Sequence, residues 1–118
     1  MRFGHWLPAL LWAVGVLVIT SIPNARVPSA PHLDKVGHFA MYLGLGALVA
    51  RALRPRARAA TVAAATLMGI AAFAALDEVH QRFVPGRSAS HADWVADVLG
   101  AGVGVLVTTT ALRRRELR

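Results

Sequence analysis

The chain contains no cysteine and few charged residues. Only 16% of its 118 residues are charged, and 56% are hydrophobic. The absence of cysteine excludes disulfides, thiolate metal sites and cysteine nucleophiles. A soluble protein of this size would need far more polar surface than this composition supplies. The composition therefore indicates one domain of a membrane protein.

Four apolar segments are long enough, or nearly so, to cross a membrane. A helix needs about 20 mostly apolar residues to span the ~30 Å hydrocarbon core at 1.5 Å per residue. Stretches rich in proline or arginine separate the segments and end the helices. We predict an all-α, integral membrane four-helix bundle that occupies residues 1–118 as one domain. The predicted spans are 6–22, 36–53, 59–76 and 94–112.

The first segment has an alternative interpretation as a cleaved signal peptide. Met1 and Arg2 precede an apolar run, as in such peptides. However, no clear A-x-A cleavage site follows, and Pro8 interrupts the early part of the run. We therefore predict that this segment is retained as the first helix.

Basic residues are distributed unequally between the two ends of the predicted bundle. One end has nine of them, and the other has four together with five of the six acids. Because loops rich in Lys and Arg stay in the cytoplasm, we expect both termini there. The excess of basic residues then sets the orientation in the membrane and attracts anionic lipid headgroups. No nucleic acid partner is predicted. The nine are Arg2, Arg51, Arg54, Arg56, Arg58, Arg113, Arg114, Arg115 and Arg118, and the four are Arg26, Lys35, Arg82 and Arg87.

Ionisable residues from three segments gather at the predicted outer end. His38 and Asp97 each lie fifteen residues from the inner boundary of their helix, roughly 22 Å along a ~30 Å core. Such groups cost about 2.5–3.5 kcal/mol each at the membrane centre if they face lipid, so we expect them to face the bundle interior. The alternative is that they are solvated helix ends. The predicted ligand-binding residues are His38, Glu78, Gln81, Arg87, Asp93, Asp97, Asp34 and Lys35.

Small residues lie on the same face of the last segment as two of these acids. Gly100 and Gly104 form a G-x-x-x-G pattern below Asp93 and Asp97. Small residues at this spacing let another helix approach closely. The predicted partner is the "GLG" of residues 44–46 in the second segment.

Several motifs resemble those of the VanZ-like family of small bacterial membrane proteins. They are "SIPN" (21–24), "DKVGHFAMYLGLG" (34–46) and "DEVHQRFVPGRSASHADWVADVLGAGVG" (77–104), in this order. The most specific part places Glu78 and Gln81 before Arg87 and Asp93. The chain departs from the family at Asp97, where relatives usually have Asn. The resemblance implies a multi-pass protein of the bacterial inner membrane, and the founding member is associated with resistance to the antibiotic teicoplanin.

Two classes of function fit these residues, and the sequence leaves open whether a reaction is catalysed. The first is a cell-envelope protein that binds an anionic lipid, a lipid-linked precursor or a lipoglycopeptide antibiotic. Arg87 and Lys35 would hold a phosphate or carboxylate, and the acids would orient Arg87 or bind an amine. The second is a membrane enzyme acting on a lipid headgroup. There His38 would be a base or nucleophile, Glu78 an acid or base, and Asp93 an orienting group.

A third interpretation takes several of the same residues as metal ligands, but no metal and no other cofactor is predicted. Its ligands would be His38, Glu78, His80, Asp93 and Asp97. The sequence has no G-x-S-x-G, H-E-x-x-H or P-loop motif. Expected partners are membrane lipids and a lipid-linked or glycopeptide ligand, and a homo-oligomer stays open.

Two more specific expectations concern the loop before the last helix. Ser88 and Ser90 are predicted to cap that helix. The guanidinium of Arg87 is predicted to bridge Glu78 and Asp93, or to hold an anion beside them, because its planar fork suits carboxylates and phosphates.

Overall fold

The fold consists of four α-helices preceded by a short 3-10 turn at Phe3–His5. A computed structural model describes residues 3–22, 33–54, 57–87 and 90–118. Arg2, Arg26, Arg56 and Ser88, and the side chain of Asp34, lie outside the described residues. No strand occurs in the described ranges, so the all-α prediction is confirmed. The helices are α1 (Leu7–Thr20), α2 (Leu33–Leu53), α3 (Ala59–Gln81) and α4 (His91–Glu116).

The bundle has two chemically different ends. At the polar end, α1 and α3 finish while α2 and α4 begin, as the contacts Thr20–Asp77 and His38–Asp97 show. At the basic end, α2 and α4 finish. There Arg54 Nη2 donates to Glu116 Oε2 at 3.0 Å.

Three helices in the described ranges are long and apolar enough to cross a membrane. They are the segment Lys35–Leu53 of α2, all of α3 and all of α4. α1 is more apolar than these three but has only 14 residues, about 21 Å of helix against a hydrocarbon core of ~30 Å. The helices also differ from the predicted spans at the polar end. α3 continues to Gln81 and α4 begins at His91, because the polar residues there are buried and stay within the helices.

The closest helix–helix approach is between α2 and α4, and glycines make it. A Cβ added at Gly100 would collide with the carbonyl oxygen of Phe39, and one at Gly104 with that of Leu43. From the other side, a Cβ at Gly46 would collide with the backbone of Ala101. The predicted G-x-x-x-G interface with residues 44–46 is therefore confirmed for Gly46, whereas Gly44 lies under the ring of Trp12.

The apolar core lies next to the polar end, on the side towards the basic end. Tyr42 is the core residue that contacts the polar end, through its hydrogen bond to Asp77. Tyr42 is fully buried and packs against Phe73 with ring centroids 6.1 Å apart. α1 is attached to this core through Val16 and through Trp12, whose Nε1 donates to the carbonyl oxygen of Met41 at 2.7 Å. The remaining core residues are Leu45, Ile70, Ala74 and Ala101.

Candidate functional site

His38 and Asp97 form a buried pair between α2 and α4. His38 Nδ1 lies 2.8 Å from Asp97 Oδ1, and the side chains are 8% and 3% exposed. The pair sits just above the glycine contact at Phe39 and Gly100, which brings the two helices close enough for short side chains to meet. Because Asp97 engages Nδ1, it sets the orientation of the imidazole ring and leaves Nε2 as the second reactive atom.

Asp77 is a second buried carboxylate, and it joins α3 to both neighbouring helices. Thr20 Oγ1 donates to Asp77 Oδ1 at 2.7 Å, and Tyr42 Oη donates to Asp77 Oδ2 at 3.1 Å. Both carboxylate oxygens therefore have a hydroxyl donor, which offsets part of the cost of burying the charge. Tyr42, the donor to Asp77 Oδ2, lies one turn from His38 on α2, so the Asp77 contacts and the His38–Asp97 pair are neighbours at the polar end.

Asp93 lies at the start of α4 and brings Lys35 into the cluster. Lys35 Nζ is 3.7 Å from Asp93 Oδ1, which is an ion pair beyond hydrogen-bond distance. The backbone N–H of Asp93 donates to Ser90 Oγ at 3.2 Å, so the prediction that Ser90 caps this helix is confirmed. An acidic side chain in the first turn also complements the positive end of the helix dipole.

Glu78 and Gln81 occupy one face of α3, a turn apart. They are 8% and 3% exposed, so both side chains are withdrawn from solvent. Glu78 Oε1 is buried and has no hydrogen-bond partner among the described residues. A buried carboxylate oxygen without a partner is costly, because the water that would solvate it has been removed.

Arg87 does not form the predicted bridge. Its Nε donates to the carbonyl oxygen of Ile22 at 3.2 Å, and its Nη2 donates to that of Ile19 at 2.7 Å. Neither Glu78 nor Asp93 is paired with it in the described part of the chain. The physical reason is the end of α1, where the last carbonyls carry the negative end of the dipole and the Ile19 carbonyl accepts a long backbone hydrogen bond, 3.3 Å from the N–H of Ile22. The guanidinium of Arg87 supplies further donors to these carbonyls.

Three contacts thus hold the end of α1 at the polar end. Besides Thr20 and Arg87, Ser21 contributes. Its hydroxyl donates to the carbonyl oxygen of Leu17, and His80 Nε2 lies 2.9 Å from Ser21 Oγ. His80 therefore contacts the end of α1. No group of three or more His, Cys, Asp or Glu suited to a metal occurs among the described residues.

The structure pairs four of the eight predicted site residues. His38 joins Asp97, and Lys35 joins Asp93. The prediction that all of them line one ligand pocket stays a prediction. The sequence interpretation omitted Asp77, Thr20 and Ser21 as site residues. The available signal was that Thr20 and Ser21 are the first polar residues after a long apolar run, at the depth where α3 becomes acidic.

Comparison with known proteins identifies a family. The family model described as VanZ/LLP1 matches residues 4–112. No curated protein and no solved structure matches the chain. The matched range contains the buried pairs at the polar end, the glycine interface and the arginine that caps α1. With nearly its whole length covered, the chain is a member of the VanZ/LLP1 family.

Proposed function

We propose that this protein binds the polar head of an amphiphilic ligand at its polar end, which faces the outside of the bacterial inner membrane. The ligand classes are a membrane lipid, a lipid-linked envelope precursor and a lipoglycopeptide antibiotic. The membership in the VanZ/LLP1 family and the membrane-length helices support an envelope location.

One observation carries the proposal, namely the convergence of buried ionisable residues from three helices. α2 supplies His38, α3 supplies Asp77 and Glu78, and α4 supplies Asp93 and Asp97, all less than 9% exposed. Each such group costs about 2.5–3.5 kcal/mol when it faces lipid at the bilayer centre. Stability does not account for this arrangement, since apolar side chains of similar volume would pack as well or better. Ligand recognition does account for it.

Saturable binding tests the proposal. The purified protein in nanodiscs would be titrated with phosphatidylglycerol, phosphatidylethanolamine, a polyprenyl diphosphate and teicoplanin. At least one of these is expected to bind with a Kd that rises tenfold or more in the combined variant Asp93→Asn and Asp97→Asn. Glu116→Gln is the matched control, because Glu116 is a 60% exposed acid at the basic end. Binding that the combined variant and the control change equally would place the ligand elsewhere.

A lipid-headgroup enzyme is the second candidate, and the His38–Asp97 pair favours it. A buried carboxylate that orients one ring nitrogen leaves the other available as a general base or nucleophile. The orienting acid in this scheme is Asp97, whereas the sequence interpretation assigned that role to Asp93. Headgroup release in proteoliposomes that His38→Gln abolishes would establish turnover. Saturable binding without release would support the binding function alone.

A further inference from the structure

Two carboxylate oxygens at the polar end are buried without a hydrogen bond. Glu78 Oε1 and Asp93 Oδ1 are both shielded from solvent, and neither has a hydrogen-bond partner among the described residues. Glu78 is more than nine-tenths buried. Removing a carboxylate from water without a partner costs several kcal/mol, so such an oxygen marks a place where a partner is expected.

The protein's own cations at this end are largely committed to other groups. Lys35 faces Asp93, and His38 faces Asp97. Arg87 directs its Nε and Nη2 to backbone carbonyls, and Arg82 is exposed. In the part of the chain that the structure describes, Asp77 has only neutral hydroxyl donors. The buried acids of that part therefore outnumber the bases that face them, and its polar end presents negative charge to a ligand.

Among the described residues, Glu78 is the acid whose buried Oε1 is given neither a base nor a hydroxyl. Gln81, one turn further along α3 and 3% exposed, adds an amide oxygen on the same face. A divalent metal would need several oxygen or nitrogen ligands at once, and the described residues contain no group of three suitable ones. A primary ammonium needs only a few acceptors, because it offers three N–H donors from a compact charge.

We propose that the ligand of the polar end is recognised through a primary ammonium group, with Glu78 Oε1 as its main acceptor and Gln81 beside it. The inference rests on the proposed binding function and specifies the chemistry of its ligand. It reverses the expectation of an anionic ligand, because the arginine that would have held an anion caps α1 instead. The ammonium group belongs either to a lipid headgroup or to a water-soluble amine.

The test compares ligands that differ at the amine and uses the whole protein in nanodiscs. Phosphatidylethanolamine is expected to bind at least tenfold more tightly than its N-acetylated form, which keeps the phosphate but has lost the charge of the amine. Glu78→Gln is expected to remove that preference, while Glu116→Gln retains it. The comparison of the two lipids on the unaltered protein needs no variant, so it stands even if Glu78→Gln folds poorly.

Soluble ethanolamine distinguishes the two sources of the amine. If ethanolamine binds and displaces phosphatidylethanolamine, the ammonium group alone is sufficient and a soluble amine can be its source. If phosphatidylethanolamine binds and ethanolamine does not displace it, the ammonium group is recognised as part of a lipid headgroup. Equal binding of the two lipids with no ethanolamine binding would overturn the ammonium proposal. Saturable, Asp93- and Asp97-dependent binding of phosphatidylglycerol would then leave the proposed function standing, and loss of all such binding would remove both.

Discussion

Arg87 Nη2 donates a 2.7 Å hydrogen bond to the carbonyl oxygen of Ile19, so a residue of the loop before α4 caps the end of α1. Its Nε reaches a second carbonyl, that of Ile22, at 3.2 Å. The two acceptors lie at the negative end of the helix dipole, and the guanidinium offers two donors in the geometry they require. α1 is short and only loosely packed, which makes this attachment a large part of what holds it in place.

Arg87→Ala is accordingly expected to destabilise the protein by about 2 kcal/mol, because hydrogen bonds to charged groups contribute ~1.5–3 kcal/mol. Arg87→Lys should recover less than half of the loss, since an ammonium cannot reach both carbonyls with a planar fork. Thermal unfolding in detergent measures the effect. Arg82→Ala is the control, because Arg82 is exposed in the same loop. A loss as small as that of the control would mean that the cap contributes nothing to stability.

The glycines of α4 permit a second prediction with an internal control. Gly100→Ala and Gly104→Ala each place a Cβ against the backbone of α2, whereas Gly102→Ala meets only the side chain of Leu67, at 3.8 Å. The first two are expected to cost roughly 1–3 kcal/mol, the usual penalty for overpacking. Gly102→Ala should be neutral or slightly stabilising, because alanine favours a helix. Equal effects at the three positions would contradict the close approach of α2 and α4.

The helices could be predicted from the sequence because long apolar runs have few alternatives in a membrane. Every backbone group must be hydrogen-bonded within the segment, and the helix satisfies that requirement. The contact between α2 and α4 could be predicted from Gly100 and Gly104, because small residues at this spacing let another helix approach closely. α3 and α4 are longer than the predicted spans. At the polar end the buried Asp77 and Asp93 remain inside the helices, and at the basic end α4 continues to Glu116 through exposed arginines.

The partners of individual side chains were harder to predict. Arg87 was assigned to acids because opposite charges attract, but its acceptors are backbone carbonyls, which every residue type possesses and no sequence pattern marks. Asp77 was overlooked for a related reason. Its donors, Thr20 and Tyr42, come from two other helices, and only the assembled bundle places them beside it. The acidic character of the polar end was evident from the sequence, whereas the specific pairs depended on the packing.

The His38–Asp97 pair predicts a difference between two substitutions of the same residue. Asp97→Asn retains an oxygen that can accept from Nδ1, so the loss of stability should stay below about 1 kcal/mol. Asp97→Ala leaves a buried imidazole without its partner and should cost about 2–3 kcal/mol or more. Chemical or thermal unfolding in detergent distinguishes them. Equal losses would mean that the hydrogen bond at 2.8 Å contributes little.

Orientation in the membrane is the last prediction, and the absence of cysteine makes it straightforward to test. The nine-to-four distribution of basic residues predicts that the basic end lies in the cytoplasm and the polar end outside. Single cysteines replacing Arg58 and Phe83 occupy exposed positions at the two ends. An impermeant thiol reagent added to intact cells, with access to the periplasmic side, should label the Phe83→Cys protein and spare the Arg58→Cys protein until the membrane is broken. The reverse pattern would place the buried acids on the cytoplasmic side, and the ligand would then have to be sought in the inner leaflet.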